Sequence, residues 1–242
     1  MKAIDAVWEK RNLGVSCIEL HIEAADTADD ILRLLDSIEE AQYMVAKIPS
    51  YKHDAVRLIQ ERGYSFAETA INLTNDLRKF QISERLLKIC SKCSFAPMND
   101  DDIARLYSEI DKNIFTTDRV YLDPHFTAEQ AANRYKGWVS DLIAAGDIPY
   151  KTEYNGEQVG FFLNREKSSG VYDGILAGVY KQYEGSGMGL CVQYSGLALA
   201  MQAGAQKYLG HISANNPAVM RVLTSLGFEI SNIDYVFVKH HD

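Results

Sequence analysis

The sequence predicts a mixed α/β protein made of two related halves, and three observations carry that expectation. Strand-like alternation and amphipathic helical spacing trade places along the whole chain. A glycine-rich turn, Gly185-Ser186-Gly187-Met188-Gly189, joins a long strand pattern to an apolar helical run. Finally, AKIPSYKHDAVRLIQERGYSF from Ala46 and GHISANNPAVMRVLTSLGFEI from Gly210 superpose without a gap. Ile48 falls on Ile212, Leu58 on Val222, Gly63 on Gly227 and Tyr64 on Phe228. Strand, helix and glycine-aromatic turn agree at one offset, which favours a degenerate structural repeat over a chance strand-helix-strand likeness.

The elements follow in order. Residues 15–22 alternate like a half-buried strand, and 30–40 carry helical apolar spacing with a start near Thr27 or Asp29. Strand 43–48, helix 54–62 and strand 66–73 come next. Residues 75–84 are charged, lack apolar periodicity and read as a linker, so the halves are assigned as 1–84 and 88–242. The second half restarts with a strand over 88–97. Asn99 then caps a helix over 102–109, whose acids Asp100, Asp101 and Asp102 suit the positive end of the dipole. A helix is expected over 128–145. Strands 149–154 and 158–164 should be joined by a hairpin at Asn155-Gly156, two residues that tolerate positive φ. A strand over 170–180 enters the glycine turn. Helix 190–206, strand 208–214, helix 217–226 and strand 234–239 complete the pattern.

The 242 residues fit one large domain or two modest ones, and hydrophobic (47%) and charged (24%) fractions are ordinary for a globular chain. Net charge is −8, the pI is near 5.3, and Lys and Arg are scattered. Nucleic acid is not an expected partner, because neutralising phosphates takes a basic stripe. No secretory pattern opens the sequence and no apolar run reaches membrane-spanning length, so a soluble cytoplasmic protein is expected. Cys90 and Cys93 form a lone CxxC, and Cys17 and Cys191 are isolated. A zinc site needs two more ligands at matching spacing, so the cysteines read as reduced structural thiols and no metal is expected.

Alternating glycines let successive amides point one way and let the backbone approach an anion, with a helix dipole behind it. A Walker loop would end in Gly-Lys-Ser/Thr, and this turn ends in Gly-Met-Gly-Leu. A dinucleotide loop wants an acid about 20 residues on and more sheet than the remaining chain can build. A third reading covers the region from Lys88 onward. Val179-Tyr180-Lys181-Gln182-Tyr183-Glu184-Gly185-Ser186-Gly187-Met188-Gly189, followed by Asn216 and a helix closing in Leu226-Gly227-Phe228, resembles the GNAT superfamily of N-acetyltransferases. The implied fold is a mixed, mostly antiparallel sheet flanked by helices, with an N-terminal degenerate GNAT-like domain. Residues 6–22, YMVAKI, ERGYSFAETAINL and 118–138 are similar, more narrowly, to the dTDP-fucosamine acetyltransferases.

The resemblance implies acetyl-CoA as cosubstrate and a primary amine on a small polar molecule as acceptor, first choice a nucleotide-linked amino sugar. A homodimer is compatible with it. Backbone groups of Leu176, Ala177 and Val179 would pair with the pantetheine arm. Amides of Gly185, Ser186, Gly187, Met188, Gly189 and Leu190 would hold the pyrophosphate, and Asn216 would touch the cofactor. Acyl transfer to an amine takes a base, donors for the oxyanion and a proton for the leaving thiolate. Asp173 and His211 are the candidate bases. The family's usual tyrosine acid falls on Leu223 here, which leaves Tyr235 and Tyr183 as substitutes, or no acid at all. Arg119, Tyr121, Arg134 and Trp138 are the candidate acceptor-binding residues, pairing basic and aromatic groups. Glu184 stands where the family carries Arg or Gln, so its carboxylate should turn away from a phosphate. Rival expectations are a peptide, aminoacyl or antibiotic amine as acceptor, and a non-catalytic acyl-CoA sensor.

Overall fold

The computed structural model describes residues 1–38 and 41–241. Its first half contains β1 (Lys2–Asp5), α1 (Val7–Leu13), β2 (Cys17–His21), α2 (Ala28–Ser37), β3 (Tyr43–Pro49), α3 (His53–Glu61) and β4 (Ser65–Asp76). Then come α4 (Glu84–Cys90), β5 (Cys93–Pro97), α5 (Asp100–Ile110), α6 (Arg119–Leu122) and α7 (Ala128–Ala144). The chain continues through β6 (Tyr150–Tyr154), β7 (Glu157–Ser168), β8 (Val171–Val179), α8 (Gly189–Gln202), β9 (Lys207–Ser213), α9 (Pro217–Ser225) and β10 (Glu229–His240). Glu39 and Glu40, expected at the end of the second helix, lie outside the described residues.

Local chemistry accounts for most boundaries. Thr27, Asn99 and Thr127 close capping boxes with Asp30, Asp102 and Gln130, so α2, α5 and α7 begin where a side chain takes up an orphan amide. Asn155 and Gly156 have φ of 51° and 83°, as the hairpin requires. Two expectations fail. The strand expected over 88–97 is shorter, because Ser83 caps a helix that runs through Cys90 and packs Leu86 and Ile89 against the cluster under α8. The linker reading of 75–84 also fails, since Leu77, Phe80 and Ile82 join that same cluster. Charge masked an apolar spacing too irregular to score as either period. β1 and α1 were not foreseen.

The described strands form one ten-stranded sheet in the order β1-β2-β3-β10-β4-β9-β8-β7-β6-β5. Only β2–β3 and β8–β9 are parallel. β10 lies between β3 and β4, and β4 lies between β9 and β10, so each half's last strand completes the other half. The register repeats as well. The offset of 164 residues that carries Ile48 onto Ile212 carries the β3–β10 pair Pro49/Asp234 onto the β9–β4 pair Ser213/Ala70. No gap in the sheet therefore coincides with the chain boundary near Glu84.

One face of the sheet packs under α2 and α3 through Leu20, Met44, Ile48 and Phe237, and under α8 and α9 through Leu73, Tyr208 and Phe228. The opposite face packs under α5 and α7 through Phe161 and Leu163, and beside α1 and α6 through Tyr43, Val45 and Val236. Cys93 and Cys191 form a disulfide with Cα atoms 5.9 Å apart, tying β5 to the first turn of α8. This corrects the expectation of four reduced thiols: the partner of Cys93 is a cysteine 98 residues away, while Cys90 of the CxxC and Cys17 are free and buried.

Candidate acyl-transfer site

β8 and β9 pair from Val171/Lys207 only as far as Gly174/Gly210, and beyond that point they part. The parting coincides with a bulge: Leu163 pairs with Leu176 and Asn164 with Gly174, leaving Ile175 unopposed. Leu176, Ala177 and Val179 are bonded to β7 along one edge, so their other edge borders the opening. Gly174 cannot carry a side chain here, because a Cβ would come within 2.7 Å of the Tyr208 hydroxyl. That hydroxyl donates to Asn164 Oδ1 at 2.5 Å, and burial pushes the phenol well above its ordinary range.

The glycine turn follows β8. Gly185 and Gly187 have φ of 74° and 84°, in the left-handed region that glycine enters freely. Within the predicted set, Ser186 N–H donates to Tyr183 O, Leu190 N–H to Gly187 O and Met188 N–H to Ser186 Oγ. The amides of Gly185, Gly187 and Gly189 have no acceptor, and α8 begins without a side-chain cap. Three free amides and a bare helix end fit a diphosphate. Glu184 is turned to solvent and pairs with Lys181 at 2.7 Å, as its position required. Asn216 Oδ1 is spent capping α9 at Val219 N–H, which leaves its amide nitrogen to the slot it lines.

The slot, about 210 Å³, is walled by β8, β9, α8 and α9, with buried Leu223 where a phenol was sought. It meets a larger cleft of about 690 Å³ on the other face of the sheet, and the two share Asp118, Tyr135, Trp138, His211, Ile212 and Ser213. His211 therefore stands at their junction. Its Nε2 lies 3.0 Å from Asp173 Oδ1 and its Nδ1 2.7 Å from Asn72 Oδ1. Asn72 donates its amide to Asp234 at 2.9 Å, so the oxygen must face His211. Nδ1 then donates to Asn72, and Nε2 faces the Asp173 carboxylate, so both ring nitrogens point at acceptor oxygens and a proton on Nε2 is held by Asp173. Asn72 and Asp234 come from strands that sequence reasoning had no cause to join to His211.

The acceptor candidates divide. Arg119, Arg134 and Trp138 line the cleft, whereas Tyr121 packs on the cluster around Tyr43 and Phe126. Tyr235 lies on the α2/α3 face beside Phe66 and lines neither cavity, because strand alternation turns it away from His211. Tyr183 bonds Glu157 at the surface. Arg119 donates to Glu9 at 3.1 Å and Glu19 at 2.7 Å, Arg134 grips both oxygens of Glu9, and Lys47 reaches Glu19 at 2.8 Å. Burial alone would raise the Glu19 carboxyl, but His21, Arg119 and Lys47 reverse this and hold it well below the usual carboxylate range.

Among the described residues, Asp123, His125 and His240 place donor atoms within 4.8 Å of one another. The two rings stack at 3.8 Å with planes 15° apart, each giving an N–H to Asp123. A metal lies in the plane of every imidazole that binds it, and near-parallel planes do not meet at one ion. The trio is a carboxylate bridging two imidazoles.

A parallel pair that parts at a bulge, an uncapped helix behind a glycine nest and a cleft on the opposite face fit a GNAT-type fold. The solved structures agree. A GCN5-related N-acetyltransferase from Sphaerobacter thermophilus is 13% identical, with a TM-score of 0.63 over 99% of this chain and 75% of its own. A GCN5-related glucosamine N-acetyltransferase region of a fungal β-N-acetylglucosaminidase is 12% identical, with a TM-score of 0.59 over 87% of this chain and 27% of that one. No protein-family model matches the chain. In sequence, the spore coat polysaccharide biosynthesis protein SpsD of Bacillus subtilis (strain 168) is 19% identical over 165 residues. That match takes in 65% of this chain and 55% of SpsD.

Proposed function

We propose that the protein is an acetyl-CoA-dependent N-acetyltransferase whose acceptor is the amino group of a sugar. The observation that carries this reading is His211, poised where a slot fit for pantetheine opens into a cleft large enough for a small polar acceptor. The pyrophosphate would rest on the amides of Gly185, Gly187 and Gly189, and the arm along the free edge of Leu176, Ala177 and Val179. Acetyl-CoA when bound supplies the thioester. On the acceptor side, the hydrogen-bonded Asp173–His211 pair would take the amine's proton and share it across their 3.0 Å contact. No phenol stands at Leu223, and a thiolate with an ordinary thiol pKa near ~8.5 leaves without one.

The sugar is supported by the activities two relatives are named for, polysaccharide biosynthesis for SpsD and glucosamine acetylation for the fungal region. A nucleotide link is harder to support, because Arg119 and Arg134 are already spent on Glu9 and Glu19. The apolar wall at Leu223 favours one second reading, a non-catalytic acyl-CoA sensor. Calorimetry with acetyl-CoA followed by thiol release against a panel of amino sugars separates the two. Micromolar binding with turnover is expected; binding without turnover on any amine supports the sensor, and no binding refutes both.

A further inference from the structure

The two halves secure their helix starts by different means. α2 begins in the Thr27 capping box, which takes up an amide of its first turn. α8 has no side-chain cap, and a cap there would consume N–H groups that an anion needs. Its first turn is held instead from Cys191, two residues after the free amide of Gly189, by the disulfide to Cys93 on β5. A tether through a side chain fixes the turn and leaves the amides open. Unlike a cap, it can also be cut and remade.

The two sulfurs differ in access. Cys191 is 0% exposed, whereas Cys93 is half-buried on β5, the outermost described strand at its end of the sheet. A dithiol reductant therefore meets the bond from the Cys93 side. Its thiolate attacks Cys93 Sγ, Cys191 leaves as a thiolate and takes up a proton, and the reagent's second thiol displaces Cys93. The products are two protein thiols and the reagent's cyclic disulfide, a transfer of two electrons that a small-molecule disulfide reverses. Both thiols have a place in the fold. Cys93 Sγ lies 3.6 Å from Ile89 O, an acceptor for the S–H that reduction creates, and Cys191 remains a small apolar side chain between β5 and α8. Burial pushes the Cys17 thiol up to about 12 and the Cys90 thiol up to about 11, so neither offers a thiolate for exchange.

We propose that the Cys93–Cys191 disulfide is a redox-operated clamp on the glycine turn. Oxidised, it holds residues 185–190 in the geometry that receives an anion; reduced, it lets the first turn of α8 loosen and weakens acetyl-CoA binding. The clamp goes beyond the acyltransferase reading, and only its effect on acetyl-CoA rests on that reading. A disulfide spanning 98 residues also stabilises the whole fold by restricting the unfolded chain, so a lower Tm on reduction is not diagnostic. Hydrogen exchange and acetyl-CoA calorimetry on the full chain, before and after dithiothreitol, provide the test, with thiols counted by alkylation. Two cysteines, Cys17 and Cys90, should alkylate in the denatured oxidised chain and four in the reduced one. Reduction should speed amide exchange over residues 185–192 while β7, β8 and β9 stay protected. It should raise the acetyl-CoA Kd about three- to tenfold through lost preorganisation, and glutathione disulfide should restore both values. Cys93→Ser should show the reduced values and ignore dithiothreitol, and reduction of the wild type carries the same test without a substitution. A bond that dithiothreitol leaves intact in the folded chain, unchanged exchange over 185–192, or acetyl-CoA binding equally tight in both states overturns the clamp. Faster exchange on reduction with no acetyl-CoA binding in either state would instead overturn the cofactor reading and leave the clamp standing.

Discussion

The two halves place a cross-strand pair at the same point of the repeat and use it differently. Glu19 faces Val45 in the β2–β3 register as Asp173 faces Leu209 in the β8–β9 register, and Lys47 stands at the repeat position of His211. Glu19–Lys47 is 2.8 Å apart and Asp173–His211 3.0 Å. In the first half the parallel strands pair through to His21/Lys47, and Arg119 closes the pair into a buried network. In the second half pairing stops at Gly174/Gly210, a bulge parts the strands, and His211 stands where the cleft that Glu19 and Lys47 also line meets the slot. The helix starts differ in the same sense. α2 is capped by Thr27 and carries Asp29 and Asp30 in its first turn, so its amides are occupied and an anion is repelled. α8 has neither cap nor acid. The candidate site lies in this repeat where the local structural closure is missing.

The severest way to break the comparison is to cut the chain. Separating 1–84 from 88–242 takes β4 from β9 and β10 from β3, and neither piece should show a cooperative thermal transition by circular dichroism. Mixing the two should restore one. Independent cooperative folding of either piece would show that the exchanged strands are not what joins the halves.

The paired residues come next. His211→Gln should lower kcat by about 10² to 10⁴ with acetyl-CoA affinity unchanged, while Glu19→Gln should cost about 3–5 kcal/mol of stability by leaving Arg119 and Lys47 short of a buried counter-charge. The Glu19 carboxyl is held far down in the folded protein, so its contribution is fully present above the ordinary glutamate range near ~4.3 and declines gradually as pH falls from there towards the folded value. Urea titrations from pH 7 to pH 3 should therefore show the gap between the wild type and Glu19→Gln narrowing without closing. A gap that does not narrow below pH 4 would remove the charge explanation.

The smallest effects separate cap from nest. Thr27→Ala should cost about 0.5–2 kcal/mol of stability and leave acetyl-CoA affinity alone. Gly187→Val forces a β-branched residue to a φ of 84° and should cost a similar amount of stability, with acetyl-CoA affinity falling at least tenfold by calorimetry. Equal cofactor affinity in both variants would mean that the glycine turn is only a connection.

The repeat was legible because its punctuation is local. Gly63 and Gly227 both end helices at positive φ, 84° and 81°, a requirement of backbone sterics that any alignment of the halves preserves. The glycine turn was legible for the same reason, and so were the capping boxes and the Asn155-Gly156 hairpin. Arg119 and Arg134 were placed in the cleft, but their engagement by Glu9 and Glu19 was not, since the partners lie 100 to 125 residues away. Tyr235 was misjudged because nearness in sequence to the site says nothing about which sheet face a strand residue takes.

By itself, then, the sequence determined the elements, their order, the twofold repeat and the backbone geometry of the glycine turn. These depend on side-chain period, glycine's freedom and helix ends, all set within a few residues. The tertiary structure alone decided that the halves exchange strands, that Cys93 meets Cys191, that Asn72 orients His211, and that Glu9 and Glu19 engage Arg119 and Arg134. Each is a contact between distant segments, chosen by burial and pairing across the finished sheet, and local periodicity does not carry that information.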